Sequence, residues 1–372
     1  EIRLSLVGSE MCIRDRIVDC TAHEQSELNI QLKGKHMFTN TLRGTTLALA
    51  LLIASGTAFA QGTVTPENFI RAETDRMFTD IQGLSGKINT FYHFRAPTPL
   101  DKQTVVRMNR DTLYSGAIID TLGGATITMP EIPDGRYASI LIVDNDHYVP
   151  VVFYEPGVHQ VPADTRYMFA AIRIQVFNPD DSAEIALVNA LQDQFVITAN
   201  SAEPFASPAW DKASLDALRA QYEKDSAAYP SWAGMEGPRG TVNEETRHIA
   251  AAAAWGLFPE GDATYLNYNG GFPEGGCYTA TYVVPENKAF WSITVYGSDG
   301  FIKSDKATIN GQNVVLNADG TFTAFFGSVE ACGDKPNRVD APEGWNFLMR
   351  VYRPGQSILD GSYKLPDAVP VM

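Results

Sequence analysis

Residues 137–154 read YASILIVDNDHYVPVVFY, in which two runs of aliphatic and aromatic residues flank a short polar segment. Such runs are typical of buried strands, and segments rich in Asp and Asn are typical of the turns that join them. More runs of the same kind lie nearby, at residues 117–119, 125–129 and 167–176. The pattern predicts a β-sheet domain, in which Asp134 and Gly135 form one hairpin turn.

A second β-rich region fills the last third of the chain. Its apolar runs lie at residues 278–284, 290–296, 314–316, 321–326 and 345–352. Asn-Gly and Asp-Gly pairs, which favour tight hairpin turns, occur at residues 269–270, 299–300, 310–311 and 319–320. Many short strands joined by tight turns are typical of a β-sandwich or a jelly roll, and we expect one of these here.

Helical patterns precede and separate the two β regions. Thr65, Pro66 and Glu67 form a helix-start signal ahead of spaced apolar residues. Apolar residues at helical spacing predict three more helices, at residues 182–195, 211–222 and 243–255. The sequence therefore predicts a mainly β protein with helices, of the α+β class.

The N-terminal residues carry a targeting pattern. After Met37 and the basic Arg43 come an apolar run at residues 46–53 and Ala58-Phe59-Ala60, the small-x-small pattern that signal peptidase cuts. We expect a signal peptide at residues 37–60, cleaved near Ala60, and a periplasmic or secreted mature protein. The apolar run is too short to span a bilayer, so no membrane attachment is expected after cleavage. Residues 1–36 precede this signal, and we expect them to be an artefactual upstream extension.

Charge and composition exclude several classes of partner. The chain of 372 residues has 29 Lys and Arg against 44 Asp and Glu, a net charge of -15, and residues 1–60 contribute no net charge because they contain six of each sign. An acidic surface repels phosphate backbones, so nucleic acid is not an expected partner. A small molecule or a glycan is the expected ligand, and the oligomeric state stays open.

Two cysteines remain in the predicted mature chain, Cys277 and Cys332. An even pair in an oxidising compartment predicts one disulfide. Two buried free thiols are the alternative, since free Cys is among the most buried residue types. A metal site on this pair is disfavoured, because no CxxC or nearby His supplies further ligands.

The predicted mature chain lacks the common catalytic signatures GxSxG, HExxH, the P-loop and GxGxxG, and no cofactor follows from its motifs. Any imidazole chemistry must come from four histidines: His93, His147, His159 and His248. His248 lies in the predicted Ala-rich helix, where a core role is the simpler interpretation. Core roles are also the simpler interpretation for Trp291, Tyr296, Trp345 and Tyr352.

The first candidate cluster is the segment 144–148, DNDHY, at the end of an apolar run. Strand alternation would place Asn145 and His147 on one face and Asp144, Asp146 and Tyr148 on the other. An Asp beside a His can fix the imidazole tautomer and raise its basicity, as a general base or a metal ligand requires. An exposed turn between strands is the alternative, since Asp and Asn are common turn residues.

The second candidate cluster is Arg107, Asn109, Arg110 and Asp111, just before Tyr114. An Arg presents a planar fork that can hold a substrate carboxylate, and a neighbouring Asp can orient it or act as an acid. A structural ion pair at a junction between a helix and a strand is the alternative.

Several collinear stretches resemble the bacterial proteins built from paired domains of unknown function 1254 and 1214. They lie at residues 109–115, 144–148, 178–181, 189–193, 248–256, 290–296, 344–347, 350–354 and 358–363. The resemblance implies an N-terminal β-sandwich domain at 61–177, a helical connector at 178–260 and a C-terminal jelly-roll-like β-sandwich at 261–372. It implies no settled reaction, but it draws attention to both candidate clusters, because both lie in these stretches.

The residues support two main hypotheses and one weaker one. In the first, a hydrolase-like enzyme acts on a small polar or anionic substrate. His147 is the general base, steered by Asp146 or Asp144, and Asp111 holds Arg110 or serves as the acid. Its substrate-binding residues would be Asn109, Arg110, Tyr114, Asn145 and Tyr148, and it requires both clusters to meet in one cleft.

The second hypothesis is a non-catalytic protein that binds a glycan or a small metabolite. An exposed tryptophan beside a cleft would favour it, because aromatic rings stack on sugars. The weaker hypothesis is a metal-dependent enzyme, in which His147, Asp146, Asp111 and His248 hold the metal.

Overall fold

The computed structural model describes residues 62–103, 106–229, 231–270, 272–273 and 275–371. The predicted signal peptide at 37–60 and the expected upstream extension at 1–36 lie outside the described residues. Within the described part, six α-helices and sixteen strands form an α+β protein with four sheets, as predicted. None of the helices found there has the length and apolar character to span a membrane.

The helices are short apart from the first. They are α1 Phe69–Ser85, α2 Ser182–Gln192, α3 Lys212–Asp225, α4 Arg247–Ala253, α5 Val329–Cys332 and α6 Gln356–Leu359. The first eight strands are β1 Tyr92–His93, β2 Thr112–Asp120, β3 Ala125–Met129, β4 Ala138–Asp144, β5 Val151–Phe153, β6 Gly157–Gln160, β7 Tyr167–Gln175 and β8 Val196–Ala199. The other eight are β9 Ala263–Asn269, β10 Tyr278–Tyr282, β11 Trp291–Tyr296, β12 Thr308–Asn310, β13 Phe322–Phe326, β14 Arg338–Val339, β15 Asn346–Tyr352 and β16 Val369–Pro370.

The N-terminal strands form a β-sandwich, as predicted. One sheet has the order β1-β2-β7-β4-β5 and the other has the order β6-β3-β8, and all their pairings are antiparallel. Alternate residues of the larger sheet, among them Leu113, Ile140 and Ile172, pack against Ile127 of the smaller sheet and Val188 of α2. Because both faces of the larger sheet are covered, β2 and β4 are buried along their whole length and do not alternate between buried and exposed residues.

The opposite face of the larger sheet packs against helices. Phe78 of α1 and Trp255, just after α4, cover Leu141 and Phe169 in a single buried cluster. Residues 250–253 of the Ala-rich α4 are all buried, and their small side chains allow close packing against α1, α3 and other connector residues. The connector contacts the large sheet through Trp255, just after this helix.

The C-terminal strands form a second sandwich of two four-stranded sheets, with orders β14-β13-β10-β16 and β12-β11-β15-β9. Eight strands in two sheets agree with the predicted jelly-roll-like domain. The β13–β14 pair is parallel, and the other pairs are antiparallel. The aromatic residues that the sequence assigned to the core, Trp291, Tyr296, Trp345 and Tyr352, are all at most 3% exposed.

The predicted disulfide is confirmed. Cys277 and Cys332 are bonded across 55 residues of sequence, with their Cα atoms 5.0 Å apart. Gly327 lies against this bond with a φ of +155°, and a Cβ there would be 2.8 Å from the Cys332 Sγ. Only glycine fits this position without displacing the bond.

One predicted strand is wrong. Residues 314–316 form no strand, and β12 lies earlier, at Thr308–Asn310. The side chain of Asn337 takes the place of a strand partner: its Oδ1 accepts from the Val315 N–H at 2.7 Å and its Nδ2 donates to the Val315 carbonyl at 2.8 Å. Because a side chain satisfies this backbone, the segment needs no neighbouring strand.

Candidate functional site

The two predicted clusters lie at opposite ends of the large N-terminal sheet. Thr112, which follows the 107–111 cluster, pairs with Gln175 at one end of β7. Asp144, which begins the DNDHY segment, pairs with Met168 near the other end of β7. Met168 and Gln175 are seven positions apart along the strand, roughly 23 Å at the usual rise per residue. The expected meeting of Arg110 and His147 in one cleft is therefore not found.

The DNDHY segment is a tight turn, so the expected strand alternation across it is wrong. The Asp144 Oδ1 accepts from the N–H groups of Asp146, at 2.9 Å, and Tyr148, at 2.8 Å. The His147 N–H donates to the Asp144 carbonyl at 3.0 Å. His147 has a φ of +63°, which a non-glycine residue adopts only where its surroundings enforce it. The turn interpretation holds for the backbone, but His147 is 1% exposed, so this turn is not an exposed one.

His147 is enclosed by the connector. Its ring stacks on Trp255 with centroids 5.3 Å apart, and its Nε2 accepts from the Gly256 N–H at 3.1 Å. Its Nδ1 lies 3.5 Å from the Glu236 carboxyl, which is also buried. Burial lowers the pKa of His147 well below its ordinary value, and Arg247 adds to this. Burial raises the pKa of Glu236 well above its ordinary value. Both groups therefore favour their uncharged forms.

The acids expected to steer His147 have other partners. Asp146 forms ion pairs with Arg71 and with Arg239, the latter at 2.8 Å. Asp144 also pairs with Arg239, at 3.2 Å. The acid that faces the imidazole is Glu236, which lies 89 residues further along the chain and which no short motif could have identified.

The other polar residues of this turn are tied to the helices. Asn145 donates to the Asp75 carboxyl of α1 at 2.9 Å. The Tyr148 ring lies between two guanidinium groups, 4.0 Å from that of Arg239 and 3.7 Å from that of Arg247. Arg247 also donates to the carbonyl of His147 at 2.9 Å. These contacts hold the turn in place, and none of them points into a cavity found in the described structure.

The Asn109–Asp111 segment joins the two sandwiches. Asn109 donates to the hydroxyls of Tyr114, at 3.2 Å, and Tyr352, at 3.0 Å. Asp111 accepts from the Ser292 hydroxyl at 2.6 Å and is 4% exposed. Burial raises the pKa of Asp111, and the nearby Arg350 and the Ser292 hydrogen bond oppose that rise.

Arg110 matches the structural alternative. Its guanidinium pairs with Asp180 at 2.9 Å and with Asp305 at 3.0 Å. With two carboxylates already bound, it has little capacity left for a substrate anion.

The predicted metal ligands are not brought together. His248 packs edge-on against Tyr222 at 4.4 Å, while His147 faces Glu236 and Asp111 lies at the far end of the sheet. Over the residues that the structure describes, no three or more His, Cys, Asp or Glu side chains are placed to hold a metal ion.

A serine and a histidine that belong to no sequence motif lie side by side on neighbouring strands. The His93 Nδ1 and the Ser115 Oγ are 2.7 Å apart on neighbouring strands, and Gln192 of α2 donates to the same hydroxyl at 3.1 Å. Ser115 is 2% exposed and Gln192 is fully buried, so α2 covers the face of the sheet on which the Ser115 hydroxyl lies. The pair resembles a nucleophile and its base, but the hydroxyl is not open to a substrate.

A cleft lies between the connector and the edge strand β9. It is open to solvent and has a cavity volume of about 30 Å³, and its walls combine aromatic rings with groups that can bond hydroxyls. The aromatic rings are those of Trp232, Phe258 and Tyr265, and the polar groups are those of Ser231, Glu260, Thr264 and Asn267. The sequence did not identify it, because its residues come from three separated segments and β9 itself was not predicted.

The cleft is backed by buried charge. The guanidinium of Arg173 on β7 lies 3.9 Å from the Phe258 ring. Tyr265 is the cross-strand partner of Arg350 on β15. The cleft therefore lies at the junction of both sandwiches and the connector, and ligand sites often occur at such junctions.

Comparisons with known proteins agree with this architecture. A family model described as "Protein of unknown function (DUF1254)" matches residues 88–150, and one described as "Protein of unknown function (DUF1214)" matches residues 272–356. No curated protein matches.

Two solved structures are similar along most of the chain. The VPA0106 protein from Vibrio parahaemolyticus is 18% identical with a TM-score of 0.61, and the match covers 82% of this chain and 98% of that one. A putative uncharacterized protein from Burkholderia cenocepacia is 14% identical with a TM-score of 0.47, over 82% of this chain and 86% of that one. The similarity to the Vibrio parahaemolyticus protein supports the fold described above. The two family matches follow one another in the predicted order, and the chain therefore carries the paired domains of unknown function, the 1254 domain before the connector and the 1214 domain after it.

Proposed function

We propose that this protein binds a glycan or a small polyhydroxylated metabolite without turnover, in the cleft between the connector and β9. The observation that carries the proposal is the lining of that cleft, where three aromatic rings and four hydroxyl-bonding side chains share one space. Sugars present apolar C–H faces and polar hydroxyl edges, and a lining of this mixed kind matches both.

The cleft is small and open to solvent. Its volume of about 30 Å³ has room for about two or three water molecules, far less than a pocket that encloses a whole small molecule. Trp232 is 9% exposed, so it forms part of a wall rather than a free surface platform. A ligand would therefore contact the lining with one ring or one edge and keep the rest of its surface in water.

The polar groups can pair with hydroxyls in both directions. Asn267 supplies a donor and an acceptor, and the Glu260 carboxylate supplies acceptors. The Thr264 hydroxyl donates to the Glu260 carbonyl at 3.0 Å, so its lone pairs remain available to a ligand donor. The lining therefore offers both donors and acceptors to the hydroxyls of a ligand.

The number of carboxyl groups in the cleft favours binding over hydrolysis. Glycoside hydrolysis commonly uses two carboxyl groups on either side of the bond that breaks. The lining of this cleft contains one, Glu260, and His147 faces Glu236 in a different, closed part of the molecule. The hydrolytic mechanism expected for His147 and Arg110 requires a shared cleft, and these two residues lie at opposite ends of the large sheet.

Export is part of the proposal. The apolar run at residues 46–53 and the Ala-Phe-Ala that follows support a signal peptide, and the Cys277–Cys332 disulfide supports an oxidising compartment. The protein would then meet its ligand in the periplasm or outside the cell.

The test is calorimetric titration of the purified protein with monosaccharides, disaccharides and polyols. We expect one class to bind, and Asn267→Ala to weaken that binding at least about tenfold, since it removes two hydrogen-bonding groups. Asn317→Ala, an exposed residue of the same domain, is the matched control. His147→Ala should also leave the affinity unchanged. Binding that is insensitive to Asn267, or turnover that His147→Ala abolishes, would refute the proposal.

A further inference from the structure

Arg107 is a buried cation for which the described residues provide no anion. Its side chain is 4% exposed, and its Nη1 has no hydrogen-bond partner. No carboxylate of the described structure lies within 4.0 Å of its guanidinium, whereas Arg110, three residues later, pairs with two. Burying an unpaired charge is costly, so a partner is expected at this position.

A second cation lies beside it. The Arg350 Nη2 donates to the carbonyl of Arg107 at 2.8 Å and to the hydroxyl of Tyr296 at 2.7 Å. The guanidinium of Arg107 lies 5.2 Å from the centre of the same Tyr296 ring. Burial lowers the pKa of Arg107, and the like charge of Arg350 adds to this. The one buried carboxylate nearby, Asp111, is bonded to Ser292. Two guanidiniums and one carboxylate leave a local excess of positive charge.

The backbone at Arg107 is held in a strained conformation. Its φ is +60°, and the contacts on both sides maintain it: its N–H donates to the Gly300 carbonyl at 2.8 Å, and its carbonyl accepts from Arg350. Non-glycine residues persist in this region only where the surrounding structure enforces it, and such positions cluster at ligand sites. The guanidinium is thereby positioned in advance, which lowers the entropy cost of binding.

We propose that Arg107, with the positive field of Arg350 behind it, binds a small oxyanion, either the carboxylate or the phosphate group of a small molecule. The planar guanidinium fork matches two oxygens of either group. The guanidinium N–H groups other than the enclosed Nη1 supply the donors, and the ligand charge cancels the local excess. This site is separate from the β9 cleft, and it holds whether or not that cleft binds sugars.

The test is thermal unfolding of the full chain in sodium phosphate, sodium acetate or sodium chloride at matched ionic strength. A ligand that binds only the folded state raises the unfolding midpoint, so we expect phosphate or acetate to raise it above the chloride value. Phosphate alone would assign the site to phosphoryl groups, and acetate alone would assign it to carboxylates. Equal midpoints in all three salts would overturn the proposal.

Two variants separate this site from general charge effects. Arg107→Met should raise the midpoint in chloride, because it removes an unpaired buried charge, and should abolish the response to the oxyanion. Arg110→Gln should keep that response. A lower midpoint for Arg107→Met in every salt would show a purely structural role. If Arg107→Met fails to fold, calorimetric titration of the unmodified protein with phosphate and with acetate decides. The absence of binding heat at ligand concentrations up to about 10 mM would overturn the proposal.

Discussion

The Glu236 carboxyl lies 3.5 Å from the Nδ1 of His147, and both side chains are at most 1% exposed. Because the Nε2 of His147 accepts from the Gly256 N–H, the neutral ring carries its proton on Nδ1, facing Glu236. A buried acid and a buried base thus meet with both of them favouring the uncharged form.

Replacing Glu236 should stabilise the protein at neutral pH. The pKa of Glu236 is raised in the folded state, so as the pH rises above about 4.5 the unfolded chain loses a proton that the folded chain keeps. The wild type is thereby destabilised with rising pH, and Glu236→Gln escapes this. We expect the advantage of the variant to be near zero at pH 4 and to grow by up to about 1.4 kcal/mol per pH unit above about 4.5. Urea unfolding at several pH values measures it.

The exposed Glu245 is the control for this experiment. Glu245→Gln should show no such growth with pH. His147 also affects the stability of the protein at acid pH. Because its pKa is lowered in the folded state, the protein loses stability as the pH drops below the ordinary histidine value. Comparing Glu236→Gln with the wild type at each pH cancels most of that contribution. An advantage that stays constant from pH 4 to pH 8 would contradict the prediction.

Removing Asp111 should weaken the joint between the sandwiches. Asp111→Ala leaves the Ser292 hydroxyl without its acceptor and Arg350 without its nearest carboxylate. We expect a loss of about 2–4 kcal/mol in the free energy of unfolding. Arg110→Ala breaks pairs with Asp180 and Asp305, whose side chains are more than half exposed, and should cost at most about 1 kcal/mol. Equal losses for the two variants in urea titrations would contradict the assignment of Asp111 as a buried link.

The fold was largely predictable and the site was not. Apolar runs are local signals, and they identified the strands of both sandwiches, whereas the even number of cysteines identified the disulfide pair. The partners of His147 and Asp111 are set by tertiary packing: Glu236 and Ser292 lie far along the chain from them. The pattern of a single sequence also could not show that the two polar clusters lie at opposite ends of β7. Their positions depend on the register in which β2 and β4 pair with β7.

Breaking the Cys277–Cys332 disulfide should lower stability without changing the fold. The bond closes a loop of 55 residues, for which the chain-entropy model gives about 4 kcal/mol. We expect the Cys277→Ser, Cys332→Ser double variant to lose about 2–4 kcal/mol in urea unfolding. Reducing the wild type with a phosphine should produce the same loss. A variant as stable as the oxidised wild type would show that strain in the native bond offsets the entropy gain.

His93 should titrate far below an ordinary histidine. Burial lowers its pKa to about 4, and the charge of Arg95 adds to this. The imidazole is then neutral from pH 5 upward and keeps its hydrogen bond with Ser115. Because the pKa of His93 is lower in the folded state than in the unfolded state, the folded protein loses stability as the pH falls from the ordinary histidine value towards about 4. An NMR titration of the ring protons measures this directly, and a midpoint near pH 6.5 would show that the ring is open to solvent.

The hydrogen bonds from Arg350 to the carbonyls of Arg107 and Met108 join the two stretches that the family models match. Arg107 lies in the stretch matched at residues 88–150, and Arg350 lies in the stretch matched at residues 272–356. Either half expressed by itself would expose these buried polar groups to water. Because one chain carries both halves, each copy of one is always made beside its counterpart.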